Sequence, residues 1–574
     1  MTPDARPFGD TELGRIDESL MTELLEAFSH WHRLSATPDA ERSVDWLMAR
    51  LESIGIAVER HTCRLYLSDP VSALLSLPQR PDLGFTPKTR SFAADCPDGV
   101  AGLRIQDPYA FEPVTSRERL GWYERVRDRI VIADNGFEDY VERLSRFGAR
   151  GLIHVWGSDE PAVHEETVGP IWGTPTLEDR KRLPRLPVIG LNRSEGEVLL
   201  RAMVASHTDL SASMCTRVAT RVAEAGLPVA EIPGESDEFV LLSAHYDSWH
   251  EGVTDNATGN ALCLAMAELF QRHRHQLRRG LRIAWWPGHS NARYGGSTWY
   301  ADRHRSELHE RCVAHINVDS PGCLGGDVLR VNGSGAECVD FLSRPVRQQA
   351  GSSPEDIGML GRGADQSFWG LGIPLHLALK ELPRPKDRNT RSPGCGGGWW
   401  WHTEADTLDK VDYHHLHRDA SIHAWWLATL LLDERLPLDV AGYLTRIGVD
   451  LADLEARCDS ALDFAPIRGA FANLQPLALE LDGRWRQDPT RWQGAARRLL
   501  GELHRLRHTS VDDYQFDSTY AAGPFPGLGA VTGIMREDAD PAIWLFAETQ
   551  FFRHRDRLTD GLYRVSVELG QKLR

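Results

Sequence analysis

Apolar residues recur along this chain with two periods, and the change from one to the other marks out its elements. From about Leu13 to Leu51 they fall at helical spacing: Leu20, Leu24, Leu25 and Phe28, then Val44, Leu47, Met48 and Leu51. The segment 56–67, IAVERHTCRLYL, predicts a strand. Pro70, Pro78, Pro81 and Pro87 then punctuate the chain and mark a boundary. Beyond them, RIVIADNGFEDYVERLSRFGARGLIHVW predicts a strand over 129–133, a helix over 138–147, a turn at Gly148 and a second strand over 151–156. LPVIGLNRSEGEVLL repeats the strand-to-helix pattern. No group of ligands or acid–base residues stands out in this stretch, which reads as an accessory unit.

From Phe239 the strands become apolar throughout. Phe239-Val240-Leu241-Leu242 opens a strand that ends in His245, and a helical run follows from Gly259 to His273. LRIAWWPG (281–288), HINVDSPG (315–322) and GIPLHLAL (372–379) are further strands, and SIHAWWLATLLL (421–432) is an apolar helix. Continuously apolar strands alternating with helices across about 235–435 imply an α/β domain with a mostly parallel sheet covered on both faces. Pro437 marks the next boundary, after which 440–505 reads helical, STYAAGPFPGLGA (518–530) irregular, and the stretch from Pro541 helical again. The expected organisation is a discontinuous α/β domain (1–69 and 233–436), an inserted unit (70–232) and a C-terminal helical domain (437–574).

A length of 574 residues is too much for one core and agrees with several domains. The formal charge of -17 argues against a nucleic-acid partner and against an anionic membrane surface. The N-terminal residues lack a basic segment followed by an apolar core, and no run reaches the apolar length that spans a bilayer. The 9 cysteines are scattered without a CxxC pair, as expected of reduced thiols in a cytoplasm. Of the 18 tryptophans, Trp399-Trp400-Trp401 sit directly before His402, where they could wall a pocket.

The chemistry gathers around VLLSAHYDSWHEGVTDNATG (240–259). His245 ends a strand, Asp247 lies two residues on, and Asp255 occupies the loop before a helix. A neutral imidazole and carboxylates at the carboxyl end of a parallel strand suit a divalent cation. On a regular strand Asp247 faces the same side as His245, where it could accept the imidazole's other N–H. Asp319, after HINV, and His402, in WWWHTEADTLDKVD, complete a set of two His and two Asp. Such a set can hold one cation, or two about 3.5–4 Å apart if Asp255 bridges.

These motifs resemble the co-catalytic zinc aminopeptidase and carboxypeptidase family. HYDSWHEGVTDNATG is similar to its HxD…DN signature, HINVDSPG to its aspartate strand, and WHTEADTLDKVD to its last-histidine motif. RIVIADNG…FGARGLIHVW…LPVIGL resembles the protease-associated domain inserted in the larger members. YAAGPFPG and the helices after it resemble the helical dimerisation domain of the branch that holds glutamate carboxypeptidase and the transferrin receptor. The resemblance implies a zinc-exopeptidase sheet, one or two zinc ions and a homodimer acting on a small peptide or amide. By the same likeness His245 and Asp319 ligate one zinc, His402 the other, Asp255 bridges, and Asp247 supports the site.

One departure stands against the matches. Where the family places two consecutive glutamates, the first a general base and the second a zinc ligand, this chain reads IAWWPGHSNARYGGSTWYAD. Counting from Trp286, those positions fall on His289 and Ser290; counting back from Gly296-Ser297, they fall on Ser290 and Asn291. Neither register supplies a carboxylate. His289 is then either the base, since an imidazole titrates near neutral pH, or itself a ligand. Glu404, two residues past His402, is the nearest spare carboxylate in sequence and the second candidate for the base. Tyr520 falls where the glutamate carboxypeptidase branch has a substrate-binding tyrosine, but the lysine beside it is replaced by Thr519. Two functions are expected: a metal-dependent amide hydrolase, or a non-catalytic, receptor-like or scaffolding relative. The polar set favours the first, because burying such groups costs stability unless something compensates. The missing glutamates favour the second, or an altered amide chemistry on a single metal.

Overall fold

The computed structural model describes residues 16–574 apart from 109, 112–113, 115, 158–159, 206–210, 334–337, 385–397 and 520–522. The first helical stretch is divided into α1 (Glu18–Phe28) and α2 (Pro38–Ser53). Thr37 caps the second helix through Ala40 N–H, and Pro38 supplies the fixed φ that suits a first turn. β1 (Ala57–Ser76) runs well past the expected end at residue 67. Pro70 is accommodated by a bulge between Pro70 and Ser72, which relieves the ladder where proline has no N–H to give.

The unit that follows holds β2 (Lys88–Thr89), β3 (Cys96–Gln106), α3 (Arg117–Glu124), β4 (Ile130–Ala133), α4 (Glu138–Phe147), β5 (Gly151–Val155), β6 (Val188–Leu191) and α5 (Arg193–Ala205). Strands β3, β4, β5 and β6 are neighbours in parallel, and β2 closes the edge antiparallel to β6. Gly148 ends α4 in the left-handed region at φ 80°, which glycine adopts without steric cost. The chain returns along β7 (Ser211–Ile232), antiparallel to β1 from Ser76↔Ser213 to Ala57↔Glu231. This long two-stranded ladder joins the inserted unit to the α/β domain.

The α/β domain continues through β8 (Phe239–His245), α6 (Thr258–Arg272), β9 (Gly280–Trp286), α7 (Gly295–Arg303), α8 (Arg305–Arg311), β10 (Cys312–Asn317), β11 (Val328–Gly333), α9 (Val339–Ala350), β12 (Asp356–Met359), β13 (His376–Leu382) and α10 (Tyr413–Leu432). The strand order is β12-β11-β13-β10-β8-β9-β7. The four central strands β13, β10, β8 and β9 run parallel, while β11 and β7 flank them antiparallel. Every residue of β8, β9 and β10 is buried. Val240, Leu242 and Ala244 enter one core, with α6 and α10; Phe239 and Leu241 enter another, with Trp286 and Phe368. Both faces of the sheet are therefore covered, which explains why these strands read as continuous apolar runs.

The C-terminal region packs α11 (Val440–Arg457), α12 (Ala465–Gln487), α13 (Pro489–His508) and α14 (Pro541–Leu573). Its apolar residues belong to the same core as one face of the sheet. Among the described residues no helix is long and apolar enough to cross a membrane.

Candidate metal centre

The parallel strands β8, β9 and β10 deliver their carboxyl ends to one edge, where an open α/β sheet gathers its site. His245 is the last residue of β8. Its Nδ1–H donates to the backbone carbonyl of Asp247 at 2.9 Å, which leaves Nε2 3.1 Å from Asp255 Oδ1 and 3.6 Å from Asp319 Oδ1. The other oxygen of Asp255, Oδ2, lies 3.1 Å from His402 Nε2. His402 in turn donates Nδ1–H to the Glu165 carbonyl of the inserted unit at 2.8 Å, fixing its tautomer. Asp255 thus sits between two imidazoles, one oxygen toward each. The four ligands expected from sequence converge.

Four residues to which the sequence assigned no role at the centre, Asp406, Asn256, Gly259 and Arg33, hold this geometry. Asp406 accepts Thr254 N–H and Oγ–H through Oδ1, both at 2.8 Å, and Asp255 N–H through Oδ2 at 3.0 Å. Asn256 donates to the Val318 carbonyl at 3.0 Å and accepts Ser320 N–H at 3.0 Å, locking the turn that carries Asp319. Gly259 must be glycine here, since a Cβ would lie 2.1 Å from Asn256 Oδ1. Arg33, fully buried between α1 and α2, donates to the carbonyls of Tyr246 at 2.9 Å, Glu251 at 2.7 Å and Gly252 at 3.0 Å. It pins both ends of the loop after β8. Nothing local marks Asp406 and Arg33, because their partners are far off in sequence.

Asp247 has a different role from the one expected. Its backbone carbonyl orients His245, while its carboxylate is 3.6 Å from Nδ1. That carboxylate accepts the Ser35 hydroxyl at 2.8 Å and the His289 backbone N–H at 3.1 Å, so it anchors the loop after β9. The His289 ring stacks on His245 at 3.7 Å between centroids. One ring nitrogen each of His245 and His289 and one oxygen of Asp319 lie within 4.8 Å of one another. His289 Nδ1 meets Asp365 Oδ2 at 2.8 Å, and Asp365 Oδ1 accepts the Ser297 hydroxyl at 2.8 Å. Asp365 is wholly buried and stands at φ 45°, in the left-handed region, as do Arg293, Tyr294, Ser320 and His402. Such backbone costs energy and concentrates where function constrains a side chain.

The electrostatics suit a cation. Burial opposes charge on His245, but Asp247, Asp255 and Asp319 outweigh it and hold its pKa well above the ordinary range. His402 is likewise raised against burial by Asp255. Burial would raise Asp255, yet the two imidazoles hold it well below the ordinary carboxylate range. Buried Asp406, beside that charge, is pushed up to about 7. The aspartates draw positive charge onto the imidazoles, which is the demand a divalent cation would meet. Oxygen and imidazole donors of this kind fit zinc.

The site opens into a cleft of about 520 Å³. Asp255, Asp319, His289 and His402 line it, with Phe137 and Glu166 from the inserted unit and Thr519 from the C-terminal region. Trp401 stacks on His402 at 3.6 Å and forms part of the wall, as the tryptophan run suggested. Burial raises the pKa of Glu166 against the pull of His402 and Arg90. Glu404 does not line the cleft; it is bound to Lys88 at 2.6 Å, with a side chain 63% exposed. Tyr520 lies outside the described residues.

A mostly parallel α/β sheet with convergent imidazoles and carboxylates at its carboxyl edge is an arrangement that could hold a divalent cation. Residues 229–426 match the model of Peptidase family M28. The chain is 30% identical over 313 residues to Aminopeptidase NAALADL1 of Mus musculus, covering 48% of this chain and 41% of that protein. Inactive zinc metalloprotease C354.09c of Schizosaccharomyces pombe is 27% identical over 397 residues, 62% of this chain and 48% of that one. The matches span less than half the length of these relatives. The fold matches BSAP, a zinc aminopeptidase from Bacillus subtilis, with a TM-score of 0.54 at 16% identity, over 74% of this chain and 96% of that one.

Proposed function

We propose that this chain is a zinc-dependent hydrolase that cleaves a peptide or small amide bond in the manner of an exopeptidase. The observation that carries the reading is Asp255 held between His245 and His402, with Asp319 beside it, at the floor of one cleft. When bound, one or two zinc ions would polarise the scissile carbonyl and ease deprotonation of the attacking water. The chain's own residues do the rest. Asp365 holds the Nδ1–H of His289 and leaves Nε2 to accept the proton of that water. The same carboxylate then stabilises the imidazolium, and Asp247 holds the backbone of His289 in place. A cleft of about 520 Å³ suits a short peptide, with Phe137 and Trp401 as apolar walls. Tyr520, next in sequence to Thr519 at the cleft, is the residue to test for substrate contact.

A second role for His289 rests on its closeness to His245 and Asp319, which would let it ligate zinc with Asp365 fixing its tautomer. The non-catalytic reading is supported by the lack of a carboxylate on the loop after β9 and by a relative named inactive. We take the active protein to be a homodimer formed through the C-terminal helices. Elemental analysis of protein purified without chelators tests the central reading. At least about one equivalent of zinc is expected, the minimum for a coordinated site. Protein no richer in metal than a His245→Ala/His402→Ala double variant would overturn it.

A further inference from the structure

The family's second glutamate has no counterpart on the loop after β9, so the His402 side of the centre is one carboxylate short. A catalytic zinc takes three protein ligands and keeps a position open. His402 Nε2 and the shared Asp255 Oδ2, 3.1 Å apart, supply only two. The carboxylates lining the cleft are Glu138, Asp139, Glu166, Asp255 and Asp319. Asp255 and Asp319 are already placed at the centre. Glu138 is paired with Arg293, and Asp139 is exposed on the first turn of α4. Glu166 remains.

Its placement is not incidental. Glu165 and His402 are clasped by two backbone contacts: Glu165 N–H donates to the His402 carbonyl at 2.8 Å, and His402 Nδ1–H donates to the Glu165 carbonyl at 2.8 Å. The segment continues extended beside Ser91, whose N–H donates to the Glu166 carbonyl at 2.9 Å and whose carbonyl accepts Val168 N–H at 2.9 Å. Successive side chains of an extended segment point to opposite sides. Glu165 turns away from the centre toward Lys88 at 3.1 Å and His250 at 3.5 Å. Glu166 therefore faces the cleft, where its charge interacts with His402. Among the described residues it has no ion-pair partner within contact, and its hydrogen bond comes from the Thr167 backbone N–H.

Resting on the reading of the centre as a zinc site, we propose that Glu166 of the inserted unit is the missing carboxylate ligand on the His402 side. The inserted unit then completes the centre: the same segment orients the imidazole through one residue and supplies the oxygen through the next. Removing the carboxylate should lower zinc occupancy even though Glu166 lies far outside the α/β domain in sequence.

The test uses zinc alone as probe, on the full chain, with metal per chain measured after equilibration and desalting and with the zinc-induced rise in Tm as a second readout. Wild type should hold about two equivalents, the complement of a co-catalytic pair. Glu166→Gln, which keeps the size of the side chain, should fall to about one, as should His402→Ala, and the rise in Tm should shrink in both. Glu166→Asp should hold an intermediate amount, which covers the case in which the amide variant folds poorly. If Glu166→Gln binds as much zinc as wild type, the assignment is overturned while the zinc reading stands. If Glu166→Gln keeps full zinc and loses only turnover, Glu166 contacts substrate and the assignment is again overturned. Wild type that binds no zinc would remove the underlying reading instead, and the two failures are thereby distinguished.

Discussion

Asp365 Oδ2 lies 2.8 Å from His289 Nδ1, and the Asp365 side chain is wholly buried. The pair joins a loop after β9 to a turn 76 residues further on. On the proposed reading, this imidazole–carboxylate pair would take the role of a general base.

The first prediction concerns that pair. In an active preparation His289→Ala should lower kcat by about 10²–10⁴, the usual contribution of a general base. Asp365→Asn should cost a similar factor, because an amide favours the wrong tautomer of the ring. The double variant should be little worse than either single one, as expected of groups that act as a unit. Zinc content separates the two roles of His289: unchanged metal with lost turnover marks a base, and a parallel loss marks a ligand. Full activity in Asp365→Asn would remove Asp365 from the mechanism.

How much of this could be read from the sequence differs between the strands and the supports. The central strands were legible because a sheet buried on both faces favours apolar residues, as in Phe239-Val240-Leu241-Leu242. The candidate ligands His245, Asp255, Asp319 and His402 stood out because they sit in motif context at or past a strand end or in a loop. Asp365 was not, because it follows no strand and its purpose appears only when its turn folds over His289. Glu166 was passed over for a related reason: it is one of many carboxylates in the inserted unit, and nothing singles it out until its segment docks on His402. The role of Asp247 was misjudged because the chain leaves the strand at His245, so the alternation used to place its carboxylate no longer applies.

Arg33 gives a stability test of the loop that carries Asp247. The side chain is wholly buried, and burial lowers its pKa to about 10. Besides the loop carbonyls it donates to the Phe28 carbonyl at 2.9 Å. Arg33→Met would leave these acceptors buried without a donor, each at a cost of about 1–3 kcal/mol. A total loss above about 3 kcal/mol is expected in urea unfolding, with reduced zinc binding because both loop ends are released. A loss under about 1 kcal/mol would show that the loop is held by other contacts.

The homodimer is tested on α14. Leu545, Phe552, Tyr563 and Val567 are 56%, 37%, 62% and 41% exposed, and Phe546 beside them 63%. At 100° per residue the first four fall within one narrow stripe of the helix, an apolar surface of the kind that marks an interface. Light scattering should give twice the 64.3 kDa of the chain. Leu545→Lys/Tyr563→Glu should shift it to one chain while zinc content holds. A wild-type mass equal to one chain at all concentrations would count against the dimer.

The last prediction is acid sensitivity from a buried histidine cluster remote from the metal centre. His376 on β13 stacks on His504 of α13 at 4.9 Å between centroids, and His504 contacts His508 at 4.4 Å. His315 on β10 lies 5.7 Å from His376. Burial drives the pKa of His376 down to about 3 and that of His508 well below its ordinary value, the latter helped by His504, Arg507, His376 and Arg362. Arg362 and Arg507, which face these rings, are paired with Asp517 and Asp450. Above the unfolded value, near pH 6.5, each ring is neutral in both states and the full stability is present. Below it the unfolded chain takes up protons that the folded chain refuses, so stability falls as pH drops from about 6.5 toward the depressed folded values, by up to about 1.4 kcal/mol per pH unit for each ring. Because the cluster joins β13 to α13, the helical region should loosen from the sheet first. Urea unfolding at pH 7.5, 6.5, 5.5 and 4.5 should therefore show a slope that His376→Leu/His508→Leu flattens. A variant with the wild-type slope would place the acid sensitivity elsewhere.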